Sequence, residues 1–180
     1  TAYIEEAISG LGSNVLLVIP GAPRGGMGTY AGAPLFTPAD VEALRRAPDV
    51  TAVAPVSSRP LRTVAGGNHR NTPFAGVTPD YFPVRGWPLA RGREISADDQ
   101  RQGAAVCILG HTVAEALFPG EDALGQTIRV HDLPCRVIGL LEAKGASVFG
   151  QDQDDIALMP LSTFSRRISG SDRVSMIVAS

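Results

Sequence analysis

The side chains that could do acid–base or nucleophilic chemistry in this 180-residue chain are few and scattered. The three histidines are His69, His111 and His131, and none shares a local motif with a cysteine, a reactive serine or a pair of carboxylates. The motif G-x-S-x-G, which presents a nucleophilic serine on a sharp turn, is absent. We therefore predict no catalytic histidine and no activated serine.

Carboxylates could act as a general acid and base only if the fold brought two of them to one cleft. The candidates are Asp80, Glu94, Asp98 and Asp99, and their spacing gives no sign of such a pair. We therefore predict that the chain is not an enzyme and that it has no catalytic residues.

The acidic run Asp152–Asp155 is the best candidate for a metal site. Calcium takes several oxygen ligands, which alternating acids in a loop can supply, but an EF-hand loop also needs a glycine and a distal bidentate glutamate. The run lacks both. The favoured interpretation is a polar segment that enters a strand, with Asp155 pairing or capping locally. We assign no metal ligand, and the question of an ion at this loop stays open.

The glycine-rich segment 21–35 could be mistaken for a phosphate-binding loop. A Walker loop needs G-x-x-x-x-G-K-[ST], and a dinucleotide loop needs G-x-G-x-x-G at the start of a helix. Gly25, Gly26 and Gly28 match neither pattern. The segment is predicted to be a surface loop, and no cofactor is expected.

Both cysteines, Cys107 and Cys135, lie in apolar runs of strand length. Buried thiols of this kind behave as small hydrophobic side chains. A disulfide between them requires that the two strands be neighbours and that the compartment be oxidising. The favoured interpretation is two buried thiols, with the disulfide left as the alternative.

The overall composition limits the classes of partner. Hydrophobic residues make up 44% of the chain and the net charge is −2, whereas binding to nucleic acid needs a concentrated basic face. The basic residues here are dispersed, so we predict no nucleic-acid partner. The apolar runs 15–20 and 104–109 are far shorter than the roughly 20 residues of a membrane-spanning helix.

The first 60 residues predict a strand–helix–strand unit. Residues 1–10 have apolar side chains at helical intervals followed by glycine, which favours a helix that ends at Gly10 or Gly12. A strand follows at 15–19. Thr37 begins a second helix, because a hydroxyl, a proline and an acid follow one another there as at a capped N-terminus. A strand is predicted at 50–58.

Residues 61–150 are richer in strand and turn signals. We predict a hairpin around Gly66–Asn68, a helix start at Ser96, a strand at 104–110 buried on both faces, and a hairpin over 126–141. The sequence Thr112–Glu115 matches a capping box and predicts the start of another helix.

The last 30 residues repeat the order strand, helix, strand at 155–159, 161–168 and 173–179. The simplest organisation is an α+β fold in which residues 1–60 and 151–180 form one layer of two βαβ-type halves. Residues 61–150 would then be an inserted β-rich lobe.

Several stretches together resemble the extracytoplasmic core domain of MacB-type ABC transporter permeases, in order and spacing along residues 1–180. The stretches are LGSNVLLVIPG, RGREISADDQRQGAAVCILGHTVAEALFPGEDALGQTIRV, PCRVIGLLEAKG and GQDQDDIALMPLSTFSRRI. Their most characteristic elements are Arg91-Gly92-Arg93, Leu109-Gly110, Leu117-Phe118, Leu124-Gly125-Gln126-Thr127, Val137-Ile138-Gly139, and Asp154-Asp155 with Pro160-Leu161.

This resemblance implies an architecture and a location. In that family a porter-like layer is interrupted by a sabre-like lobe, and the domain lies on the periplasmic side of the inner membrane, between the first two transmembrane helices of the permease. Residues 1–10 would then be the outer end of a helix that rises from the membrane.

The resemblance also implies a function without chemistry of its own. The domain would couple ATP-driven movement of the transmembrane helices to extrusion of periplasmic substrate (mechanotransmission). The implied partners are the transmembrane helices and ATPase domain of the same transporter, a second permease copy, a periplasmic adaptor protein and a TolC-like outer-membrane channel. The alternatives are a lipoprotein-releasing permease that hands cargo to a carrier, and a stand-alone ligand-binding module. A small hydrolase is disfavoured by the motif search.

Overall fold

The computed structural model describes residues 4–7, 16–20, 36–48, 50–147, 150–171 and 174–179. The strands are β1 Ile4–Ala7, β2 Leu16–Pro20, β3 Val53–Ala65, β4 Asn68–Val77, β5 Leu89–Gly92, β6 Val106–Leu109, β7 Thr127–Val130, β8 Leu133–Leu141, β9 Ala157–Pro160 and β10 Met176–Ala179. The helices are α1 Pro38–Arg45, α2 Tyr81–Arg85, α3 Ala97–Gln102, α4 His111–Leu117 and α5 Leu161–Thr163, which continues as a π-helix over Phe164–Ser169. The predicted α+β class is confirmed.

Six of the strands close into a barrel. The pairings β3–β4, β4–β9, β9–β6, β6–β8, β8–β7 and β7–β3 form a complete ring. The remaining strands of the layer, β10, β2 and β1, extend from the start of β3 as an open sheet, and β5 pairs with the end of β8. One edge of β3 therefore carries β10 at its start and β7 near its end. This strand belongs to both parts of the fold.

The barrel interior is filled by alternate residues of all six strands, because successive side chains of a strand point to opposite faces. Phe74, Cys107, Ile128 and Met159 are each at most 1% exposed there. On β6, Ile108 belongs instead to a second apolar cluster outside the barrel, around Tyr81, Phe82 and Trp87. The predicted burial of this strand on both faces is confirmed.

The predicted helix over residues 1–10 is wrong where the structure describes it. Ile4–Ala7 is a strand, paired antiparallel with β2 from Ile4 opposite Pro20 to Ala7 opposite Leu17. A ten-residue segment is too short for helical spacing of apolar residues to outweigh a neighbouring strand edge that satisfies its backbone hydrogen bonds. The described residues 4–7 therefore do not support the expectation that residues 1–10 are the outer end of a membrane helix.

The start of α4 also differs from the prediction. The helix begins at His111 with Gly110 as its N-cap and without a side-chain cap, so the capping box at Thr112–Glu115 is not formed. The hydroxyl of Thr112 instead donates to Oδ2 of Asp152, 2.6 Å away. A contact 40 residues away in the sequence replaces the local one.

The other local signals are confirmed. Thr37 and Ser96 each form a capping box with the aspartate three residues later. The hairpins lie at Gly66–Gly67 and at His131–Asp132, and Ile128 and Val130 face the barrel interior. In each case the signal depends on residues within a few positions of one another.

The predicted lobe borders at 60/61 and 150/151 stay predictions. The first falls inside β3, which the sequence divided into a strand ending at 58 and a hairpin arm starting at 61. Pro60 lies there opposite Pro73, and a proline has no N–H to donate to a neighbouring strand. Pro60 lies between the stretch of β3 that pairs with β10 and the stretch that pairs with β7. In this interval the edge of β3 that faces away from β4 has no neighbouring strand among the described residues that would require an N–H donor. The predicted surface loop 21–35 lies outside the described residues.

Candidate functional site

The acidic run that the sequence singled out lies between β8 and β9, against the start of α4. Asp154, only 4% exposed, accepts the backbone N–H of Lys144 at Oδ1 (2.8 Å) and that of Gly145 at Oδ2 (2.9 Å). Both carboxylate oxygens are thus used to hold the loop that follows β8. Hydrogen bonds from backbone N–H groups to a buried carboxylate are strong ones.

The two flanking aspartates have other partners. Asp152 accepts from the Thr112 hydroxyl and from the backbone N–H of Asp154, and these hydrogen bonds, that of Thr112 first, hold its pKa below its usual value. Asp155 forms an ion pair with Nη2 of Arg70 at 3.0 Å. Asp155 is therefore paired as expected, but its partner lies on β4 and not locally in the sequence.

The carboxylates of Asp152, Asp154 and Asp155 contact different partners and do not converge on a common position where an ion could bind. In the described part of the chain no three His, Cys, Asp or Glu side chains are placed to hold a metal ion. The Arg70–Asp155 contact is an ion pair without an aligned hydrogen bond, since Oδ1 of Asp155 and Nη1 of Arg70 have no hydrogen-bond partner among the described residues. The run is best described as the anchor of a loop.

Gly110 brings this loop into direct backbone contact with α4. Its N–H donates to the carbonyl of Ile156 at 2.7 Å. A Cβ at this position would lie 2.2 Å from the carbonyl oxygen of Asp154. The glycine in the predicted Leu109-Gly110 motif is therefore required by packing, because any side chain would push β9 away from the helix start.

The same loop is held on its other side by an aromatic contact that the sequence did not indicate. Nζ of Lys144 lies 4.4 Å from the ring centroid of Trp87, and Nε1 of this buried indole donates to the carbonyl of Glu142 at 2.8 Å. Partial burial and the nearby Arg85 lower the pKa of Lys144. Lys144 is 57 positions from Trp87, so no sequence pattern could have paired them.

The motif Arg91-Gly92-Arg93 connects three elements around the end of β5. Arg91 pairs with Asp122 at 2.8 Å, Nη1 of Arg93 lies 2.7 Å from Oδ2 of Asp99, and the N–H of Arg93 donates to the carbonyl of Ile138 at 2.9 Å. Asp99 therefore caps α3 and holds Arg93 at the end of β5.

Stability should depend on pH through Asp99. Burial alone would raise the pKa of this carboxyl, but hydrogen bonds from Arg93 and Ser96 outweigh it and lower the pKa. A lowered pKa stabilises the fold above the unfolded value of about 3.9, and this contribution is lost as the pH falls through the folded value. We expect Asp99→Asn to cost about 1–2 kcal/mol in free energy of unfolding at pH 7, and less at pH 3.5, measured by urea denaturation.

Asp98→Asn is the matched control for this prediction. Asp98 pairs with Arg101 at the surface, with 67% of its side chain exposed, so we expect a change of at most about 0.5 kcal/mol. A deficit of Asp99→Asn that is the same at both pH values would contradict the assignment.

The two cysteines lie on the neighbouring strands β6 and β8, and both are buried and free. Burial raises the pKa of the Cys107 thiol well above its usual value and that of Cys135 to about 12. Cys107 is opposite Val137, two residues beyond Cys135, which places the two Cα atoms about 8 Å apart. A disulfide bridges at most about 7 Å without backbone movement. The favoured interpretation of buried thiols is confirmed.

An open groove of about 460 Å³ lies beside the end of β5. A ligand-binding module would need an apolar pocket with convergent polar groups. The charged groups of this groove are Arg93, already paired with Asp99, and Arg136.

The histidines lie on separate elements: His69 on β4, His111 at the start of α4 and His131 in the β7–β8 turn. These placements give no support to a reaction centre in the described residues.

Comparison with known proteins identifies the relatives of this arrangement. Residues 1–180 match the family model described as MacB-like periplasmic core domain. The chain is 43% identical over 175 residues to the macrolide export ATP-binding/permease protein MacB of Rhodospirillum rubrum, covering 96% of this chain and 26% of that protein. It is 39% identical over 170 residues to the protein of the same name from an Azoarcus species, covering 94% of this chain and 26% of that protein.

A solved structure agrees with the sequence comparison. The crystal structure of the periplasmic region of MacB from Actinobacillus actinomycetemcomitans superposes with a TM-score of 0.77 at 26% identity, covering 93% of this chain and 74% of the other. The chain spans about a quarter of the length of the curated relatives that it matches. Among the described residues, no helix has the length and apolarity to cross a membrane.

Proposed function

Because the chain belongs to the family of MacB-like periplasmic core domains, we propose that it transmits movement of transmembrane helices to periplasmic surfaces of the same transporter. It is the periplasmic core domain of a MacB-type ABC transporter. The proposal concerns what this domain does when ATP is hydrolysed elsewhere in the protein. In this proposal its task is mechanical, and substrate already in the periplasm is extruded as the domains move.

The observation that carries the proposal is the shared hairpin β3–β4. Its two strands pair continuously over ten residue pairs, from Val56 opposite Val77 to Ala65 opposite Asn68. Its first part pairs with β10 of the open layer and its last part with β7 of the barrel. A displacement applied to the open layer would therefore reach the barrel through strands, without an intervening flexible linker.

The anchored loops support this role. Asp154, Gly110 and the Lys144–Trp87 contact join β8, β9, α4 and the segment between α2 and β5 at one end of the barrel. A packed interior transmits displacement because it deforms little. We propose that the inserted lobe 61–150 and the layer formed by 1–60 and 151–180 move together as one lever.

The proposed partners follow from the family. They are the transmembrane helices and ATPase domain of the same protein, and a second copy related by two-fold symmetry. A periplasmic adaptor protein and a TolC-like outer-membrane channel complete the proposed assembly at the inner membrane. A nucleotide cycle can drive the movement only if it biases two states of the assembly.

Distances between spin labels in the full-length transporter test the proposal. Ala43→Cys on α1 and Asp132→Cys in the β7–β8 turn lie at exposed positions in the two parts of the fold, whereas the native thiols are buried and should stay unlabelled. We expect the distance between these two labels in one chain to be the same with and without ATP. The distance between Asp132→Cys labels of the two copies should change with nucleotide.

A transporter whose ATPase cannot hydrolyse ATP is the control. After ATP is added, the distance between its two copies should stay at the ATP-bound value and not return to the value without nucleotide. Labels that separate within one chain on ATP binding would show two independent lobes. An unchanged distance between the copies would show that the domain does not follow the ATPase. Either result would contradict the lever.

A further inference from the structure

Three exposed arginines form a diagonal line across the outer wall of the barrel. Arg62 is on β3, Arg129 on β7 and Arg136 on β8, and each alternates with residues buried in the barrel interior. Arg129 is opposite Val64, two residues from Arg62. Arg136 is opposite Thr127, two residues from Arg129. We call these three residues the arginine line.

Consecutive members of the arginine line are diagonal neighbours on one face of antiparallel strands, so their Cα atoms lie about 7–8 Å apart. None of the three takes part in an ion pair in the part of the chain that the structure describes. The arginines that do so there are Arg45, Arg70, Arg91, Arg93 and Arg101. In a chain of net charge −2, three neighbouring cations without a carboxylate partner form a local positive surface.

The arginine line crosses the seam that closes the barrel. The β3–β7 ladder has only two residue pairs, Thr63 with Val130 and Val64 with Arg129, and one more hydrogen bond joins the N–H of His131 to the carbonyl of Arg62. Arg62 and Arg129 lie on opposite sides of this short ladder. Their like charges oppose its closure, and an anion that bound both would relieve the repulsion.

We propose that the arginine line is a docking surface for an acidic polypeptide segment of a partner protein. Alternate side chains of an extended segment are about 6.6 Å apart, which matches the spacing along the line. The planar guanidinium group of arginine binds carboxylates through paired hydrogen bonds. By bridging β3 and β7, such a segment would also hold the barrel seam closed.

The surroundings of the line favour a polypeptide over a lipid surface or free phosphate. Val64, Thr127 and Pro134 lie on the same face as the arginines, and the cations of this face are all arginine, which is enriched at protein interfaces, whereas lysine is depleted there. A membrane surface would attract a denser basic cluster of four to eight residues. The proposal concerns a partner contact and does not depend on the lever mechanism.

Binding of a fluorescein-labelled peptide with the sequence Asp-Thr-Asp-Thr-Asp, followed by fluorescence anisotropy at low ionic strength, tests the proposal on this chain. We expect saturable binding that weakens about tenfold when Arg62, Arg129 and Arg136 are all replaced by glutamine, because exposed ion pairs each contribute a few-fold. The peptide Asn-Thr-Asn-Thr-Asn should not bind.

A control variant replaces Arg46, Arg59 and Arg166 with glutamine. These residues are also exposed, so net charge changes equally, and peptide affinity should fall by less than about twofold. Circular dichroism would verify that both variants are folded. Equal loss in the two variants would overturn the proposal. So would no peptide binding, binding of inorganic phosphate or phosphatidylglycerol vesicles in preference to the peptide, or arginine-dependent self-association.

Discussion

Replacing Gly92 with alanine is expected to lower the free energy of unfolding by about 3–5 kcal/mol. Gly92 has φ = +82°, a conformation that costs a residue with a Cβ about 1–2 kcal/mol. The added Cβ would lie 2.2 Å from the carbonyl oxygen of Ile138 and 2.6 Å from Cα of Gly139. These are backbone atoms of β8, which cannot move without breaking the β5–β8 ladder, and overpacking of this kind costs about 1–3 kcal/mol more.

The variant Gly125→Ala separates the cost of the backbone conformation from the cost of overpacking. Gly125 has almost the same backbone angle, φ = +84°, but an added Cβ there would have no other atom within 4 Å. We expect this variant to lose only about 1–2 kcal/mol. Urea or thermal unfolding of the two variants measures the difference directly. If they lose equal stability, the close approach of β5 to β8 does not require a glycine.

Replacing Asp154 with alanine is expected to cost about 2–4 kcal/mol. The substitution leaves the backbone N–H groups of Lys144 and Gly145 without their acceptor, and each unsatisfied group costs about 1–3 kcal/mol where water cannot replace the partner. Because both loop residues are otherwise exposed, water will recover part of this loss. Urea denaturation measures the change, and amide hydrogen exchange should accelerate at these two N–H groups in particular.

Two further variants sharpen the test of Asp154. Asparagine keeps one acceptor oxygen, so Asp154→Asn should lie between wild type and Asp154→Ala. Asp152→Ala removes a neighbouring exposed carboxylate, whose side-chain partner is Thr112, and should cost at most about 1 kcal/mol. Equal effects of the two alanine variants would show that the run acts through its total charge rather than through the anchored loop.

Three of the residues that carried the family resemblance have a common physical role. Gly92, Gly110 and Asp154 allow or hold close contacts between elements that are distant in sequence. None of these contacts supplies a reactive group. The proposed lever would need such contacts, because each loosened loop would absorb part of the movement.

The sequence predicted parts of the candidate site but not its assembly. Local pairing of Asp155 was expected, yet its partner Arg70 is 85 positions away and no periodicity indicates it. The capping box expected at Thr112 is absent because its hydroxyl is used by Asp152. The contact between Lys144 and Trp87 had no signal, although the chain has one tryptophan and one lysine.

The sequence by itself determined the elements whose signals are local. The caps at Thr37 and Ser96, the hairpin turns and the alternation of buried residues on β7 depend on side chains and backbone groups within about four positions of one another. Such short-range interactions form in the same way in any surrounding fold.

Only the tertiary structure decided the ring closure between β3 and β7, the position of β9 between β4 and β6, and the strand conformation of Ile4–Ala7. Each depends on which strand edge a segment meets. Many edges offer the same backbone donors and acceptors, so the choice is made by how all the apolar faces pack together, and no short stretch of sequence contains that information.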